Sequence, residues 1–84
     1  MPGNWNYSKH AIERMAARSI SKEDIKMVIR NPDSVIEEPC KKIYQKKINV
    51  EDTLYIYRVY MNDCKKPPVV ITAYRSTKMD KYEI

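Results

Sequence analysis

With a single glycine, Gly3, in 84 residues, the chain has no room for a glycine-rich loop that cradles phosphate, and the P-loop and the dinucleotide fingerprint are excluded. One histidine, His10, and two cysteines, Cys40 and Cys64, do not make a zinc-ligand set, so neither a metal nor another cofactor is expected. Phenylalanine is absent, which obliges several of the seven tyrosines to fill the core. No apolar run approaches the length of a bilayer span, and residues 1–20 lack the continuous apolar segment of a signal peptide. The expected compartment is therefore the cytoplasm, where free thiols are the rule.

What is present is a small, basic, mixed chain. Hydrophobic residues at 43% suffice for a globule, and charged residues at 32% are too mixed in sign for disorder. At this length one domain, residues 1–84, is expected, with a modest core. The net charge is +5, and it is uneven: residues 1–48 carry ten Lys/Arg against six Asp/Glu, residues 49–84 six against five. A basic small domain suits polyanion partners, nucleic acid above all.

Residues 1–7 read as a loosely held lead. Ser8 is a good N-cap, and Lys9 to Arg18 follow a helical period with Ala11, Ile12, Met15 and Ala16 on one side. Ser21 caps a second helix, with Glu23 and Asp24 in its first turn and Ile25, Val28 and Ile29 facing inward; Asn31-Pro32 ends it. The period then changes. Extended segments are expected at Ser34 to Glu38, Lys41 to Val50, Asp52 to Met61 and Val69 to Arg75, and residues 76–84 carry no clear signal. Short connections between consecutive strands predict an antiparallel sheet of three to four strands, so the fold class is α+β, two helices followed by a small sheet. If the strands flanking them pair, Cys40 and Cys64 lie at one end of a hairpin, where a disulfide is the alternative to free thiols.

Two groups of residues could carry chemistry. His10, Arg14 and Arg18 advance by about 40° per step and form one row beside the apolar stripe of the first helix. A histidine next to two permanent cations suits a phosphodiester, the imidazole moving a proton and the guanidinium forks holding oxygens; a solvated helix face would have the same spacing. In the last strand, "VVITAYR", alternation puts Val69, Ile71 and Ala73 on one face and Val70, Thr72 and Tyr74 on the other. Thr72 and Tyr74 thus project together, and with Arg75 at the strand end they could hold a scissile phosphate, although ordinary β-propensity accounts for both hydroxyl residues equally well. Lys41, Lys42, Lys46 and Lys47 could contact nucleic acid or protect a sheet edge, and Tyr44, Tyr55, Tyr57 and Tyr60 could stack on bases or build the core.

The stretch "SKHAIERMAARSISKEDIKMVIRNP", followed by a tyrosine-rich sheet and "VVITAYR", resembles the small prokaryotic domain-of-unknown-function family 4258 from about Ser8 to Arg75. That family is similar in plan to the barnase–EndoU–colicin–RelE fold, whose members include metal-independent ribonucleases acting as toxins in toxin–antitoxin pairs. The resemblance implies His10 as general acid/base and Arg14 and Arg18 as phosphate ligands. It implies Thr72 and Tyr74 as active-site hydroxyls, with Arg75 a neighbour. The expected partners are RNA, tRNA or mRNA, as substrate, and an antitoxin or immunity protein. Tyr44, Lys42 and Lys46 are the candidate substrate contacts. The competing readings are a non-catalytic nucleic-acid-binding module and an interaction domain for an acidic protein.

Overall fold

A computed structural model describes residues 3–78. The order of elements is β1 (Asn6–Tyr7), α1 (Lys9–Ala17), α2 (Lys22–Arg30), β2 (Ser34–Glu38), β3 (Lys41–Val50), β4 (Thr53–Asn62) and β5 (Val69–Ser76). The strands form one five-stranded sheet in the order β1-β5-β4-β3-β2. The α+β class is as expected, but the sheet is larger and mixed: β1 pairs parallel to β5, while the other three pairings are antiparallel. Two residues of the lead make β1, where the Asn6 amide donates to the Pro68 carbonyl at 2.8 Å. So short a strand has no periodicity of its own, and only its partner defines it. The segment 76–84 divides: Ser76 closes β5, and residues 79–84 lie outside the described residues.

Both helices begin where side-chain oxygens meet orphan amides. Ser8 accepts from the Ala11 amide, and Ser21 with Asp24 forms a reciprocal capping box. The turn between the helices is a Schellman closure, with the Ile20 amide on the Met15 carbonyl at 2.9 Å and the Ser19 amide on Ala16 at 3.4 Å. Ser19 there adopts φ 57°, the left-handed region where glycine is usual. The β3–β4 hairpin turns on Glu51 and Asp52, at φ 49° and 65°, a type I′ geometry that the glycine-poor sequence meets with two acidic residues.

The helices cover one face of the sheet. Ala11 and Met15 of α1 and Ile25, Val28 and Ile29 of α2, with Ile20 between them, meet Tyr44, Tyr57, Val59, Met61, Val70 and Ala73. Ile12, at 41% exposure, and Ala16 fall outside this core, because α1 is short and buries only a narrow strip. The opposite face has a small buried patch of its own: Ile43, Gln45 and Ile56.

Two expectations need correction. Between the pairs Tyr60↔Thr72 and Met61↔Val70 the register shifts by one, leaving Ile71 as a bulge residue without a partner. The bulge resets the alternation, so Val70 and Ala73 both face the core, and Val70 does not share a face with Thr72 and Tyr74. Cys40 and Cys64 are joined as a disulfide, Cα–Cα 4.8 Å, rather than free; it ties the β2–β3 turn to the loop after β4. No helix among the described residues is long and apolar enough to cross a membrane.

Candidate functional site

On the face away from the helices, strand register aligns side chains into rows. Ser34, Gln45, Arg58 and Tyr74 are consecutive cross-strand neighbours from β2 to β5, and Ile36, Ile43, Tyr60 and Thr72 form the next row. Gln45 donates to the Ser34 hydroxyl at 2.9 Å. Arg58, on the second strand in from the β5 edge, donates through Nη1 to the Tyr74 hydroxyl. The Tyr60 and Tyr74 hydroxyls are 3.3 Å apart and their rings stack at 5.9 Å. The Arg58 guanidinium lies 5.5 Å from the Tyr60 ring centroid and 5.6 Å from that of Tyr74.

A second cation reaches the same tyrosine from α1. Because β1 pairs only with Val69 and Val70, the β5 edge beyond them is left to α1. Ser8 donates its hydroxyl to the Ile71 carbonyl at 3.0 Å, and Arg18 donates Nη1 to the Ala73 carbonyl at 3.0 Å. These two anchors lay the helix along the edge, and the His10, Arg14 and Arg18 row runs between them. Arg18 then sits 5.9 Å from the Tyr74 ring centroid. Two guanidinium groups therefore converge on Tyr74, with Tyr60 beside it and Thr72 opposite Tyr60 in the register. Hydroxyls held by cations are an arrangement that stabilises an anion.

The other sequence candidates are placed as follows. His10 and Arg14 are exposed and, among the described residues, make no hydrogen bond, ion pair or ring contact. Arg75 lies on the helix face instead of beside Tyr74. It donates to the Tyr57 hydroxyl at 2.9 Å and stacks 4.6 Å from the Tyr55 ring, and the Tyr57 bond raises its pKa. Tyr44 is 4% exposed in the core, where burial raises its pKa, so its ring cannot stack on a base. Lys42 lies 3.5 Å from Asp63 and 3.8 Å from Glu37; the Tyr44 phenolate holds its pKa up above all, with those two carboxylates adding. Lys46 donates to the Asn31 carbonyl at 2.8 Å and lies 3.8 Å from Asp33. Tyr44, Lys42 and Lys46 thus belong to the β2–β3 side and to α2, away from the Arg18–Tyr74 cluster.

Arg58 is the residue that reading the sequence missed. The signal was available: in "TLYIYRVYMN" a lone cation interrupts an otherwise tyrosine-rich and aliphatic strand, and alternation puts it with Ile56 and Tyr60. A charge at the centre of such a strand needs partners.

No curated protein and no solved structure matches the chain. One family pattern does, over residues 7–75, which takes in β1, both helices and the sheet to the penultimate residue of β5. The chain belongs to that family, described as a domain of unknown function, DUF4258.

Proposed function

We propose that the chain is a metal-independent endoribonuclease of the barnase–EndoU–colicin–RelE type, the toxin of a toxin–antitoxin pair, acting in the cytoplasm. The observation that carries this reading is the convergence of Arg58 and Arg18 on Tyr74, with a second hydroxyl, Tyr60, 3.3 Å away. A pentacoordinate phosphorane has two negative oxygens to neutralise, and two guanidinium forks with tyrosine donors suit them. In the reaction the RNA 2′-oxygen attacks the adjacent phosphorus and the bond to the 5′-oxygen breaks. His10, in the first turn of α1 beside the Ile71–Ser8 anchor, takes the 2′-OH proton. The leaving 5′-oxygen is protonated by Tyr74 or by His10 acting in turn. The products are a 2′,3′-cyclic phosphate and a free 5′-hydroxyl, and DNA, lacking the nucleophile, is spared. The net charge of +5 supports attraction of RNA and of an acidic antitoxin.

A non-catalytic RNA-binding module is the second reading, favoured by the absence of contacts to His10 among the described residues. Digestion of total RNA and of tRNA by the pure protein in EDTA, with His10→Ala alongside, separates the two. The proposal expects discrete fragments ending in 2′,3′-cyclic phosphate from the wild type and a loss of about 10²–10⁴-fold in rate for the variant. Intact RNA in both samples, bound with equal affinity, would leave the binding module.

A further inference from the structure

A second basic row lies on α2, away from the cluster on Tyr74. Lys22, Lys26 and Arg30 follow one another at i, i+4 and i+8, so they stack along one face over about 12 Å. By itself that is a solvated helix face. Here, however, the row is one wall of a groove of about 200 Å³ whose other side is built from Trp5 and Tyr7. The two rings are held in place: both pack against the core, the Trp5 indole donates to the Tyr7 hydroxyl at 3.1 Å, and β1 fixes the backbone beside β5. Lys22 Nζ sits 5.2 Å from the Tyr7 ring centroid. Lys26 is paired only with exposed Glu23, at 3.6 Å, a contact that an incoming anion readily replaces.

We propose that this groove binds single-stranded RNA, one base lying on the Trp5–Tyr7 surface while its flanking phosphates follow Lys22, Lys26 and Arg30. The volume is below the range of a whole small-molecule pocket and suits a single planar ring that enters from a longer strand. Cations spaced about 6 Å apart along a helix, beside aromatic rings, are how sequence-tolerant single-strand sites are made, charge tracking the backbone and rings taking bases. An acidic protein would use the charges but would have no need of the paired rings. The inference deepens the ribonuclease reading by giving the substrate strand a second point of attachment, and it rests on that reading only for the identity of the strand.

Trp5 is the only tryptophan, so intrinsic fluorescence reports directly on the groove. The experiment titrates the full chain with a 2′-O-methyl uridine octamer, which cannot be cleaved, and with polyphosphate and poly-glutamate as anions without bases. The expected result is saturable quenching by the octamer, with neither base-free anion reproducing it. Lys22→Glu with Lys26→Glu should weaken octamer binding about tenfold and flatten its salt dependence by roughly one unit of slope. No quenching, an unchanged affinity in the double variant, or equal quenching by poly-glutamate would overturn the proposal. Arg58→Met separates the two readings: quenching retained with cleavage abolished leaves the groove standing, and cleavage by the wild type without quenching removes the groove alone.

Discussion

Replacing Arg58 by methionine removes a charge from the centre of the sheet while keeping most of the side-chain stem, and its consequences can be worked from the contacts. The guanidinium donates to the Tyr74 hydroxyl and lies 5.5 and 5.6 Å from two ring centroids. A hydrogen bond from a charged donor contributes about 1.5–3 kcal/mol, and each cation–π contact about 0.5–1 kcal/mol. Against that loss of roughly 2.5–5 kcal/mol, the variant no longer desolvates a cation, a cost of several kcal/mol for a buried ion and less for this partly exposed one. Methionine adapts to the vacated volume. The net destabilisation is about 1–2 kcal/mol, or a fall in Tm of roughly 5–15 °C for a domain of this size. Catalysis should suffer far more. Loss of one pre-placed donor to a developing oxyanion lowers the rate about 10²–10³-fold, equivalent to about 2.7–4 kcal/mol. Initial rates of cleavage of a fluorogenic RNA in EDTA at 25 °C, with circular dichroism to establish folding and a melting curve for stability, measure both effects. Arg58→Lys, which keeps the charge and loses the fork, should fall between the two. A folded Arg58→Met protein that cleaves within threefold of the wild type would refute the placing of the reaction at Tyr74.

Arg75→Ala provides the contrast, since Arg75 bonds Tyr57 on the helix face: it should lower Tm by several degrees through a lost bond worth about 1 kcal/mol and leave cleavage within threefold. Glu51→Asn with Asp52→Gly puts the preferred pair into a type I′ turn whose two residues now have φ 49° and 65°, so the hairpin should gain about 1 kcal/mol, seen as a Tm rise of roughly 4–8 °C. Burial holds the Tyr44 pKa above its unfolded value, so its contribution is complete below about pH 10 and is lost as pH rises through the higher folded value. Tyr44→Phe should therefore reduce the steepness of alkaline unfolding in a pH series of urea melts while leaving the neutral region largely unchanged.

Local order was readable wherever it depends on a few neighbouring residues. Ser8 and Ser21 announce the helix starts and Asn31-Pro32 a stop, and the alternating segments coincide with β2, β3, β4 and β5 to within a residue. The candidate site was readable only in part. Arg18, Thr72 and Tyr74 were identified from type and spacing, and the structure brings Arg18 to Tyr74. Arg75 and Tyr44 were drawn to the same site because they are a cation and an aromatic near it in sequence; register puts them on the other face.

Composition and period, then, determined the α+β class, the basic character and the reliance on tyrosine for a core, because those follow from side-chain chemistry and from repeats of two and of 3.6 residues. Tertiary structure alone decided the rest. The Ile71 bulge exists only relative to β4, and it turns Val70 inward while leaving Thr72 and Tyr74 on the far face. The parallel pairing of two residues in β1 covers just the start of the β5 edge, which leaves the remainder for α1 and lets Arg18 reach across to the tyrosine that Arg58 holds. Register is a relation between strands distant in sequence, and no single strand carries it.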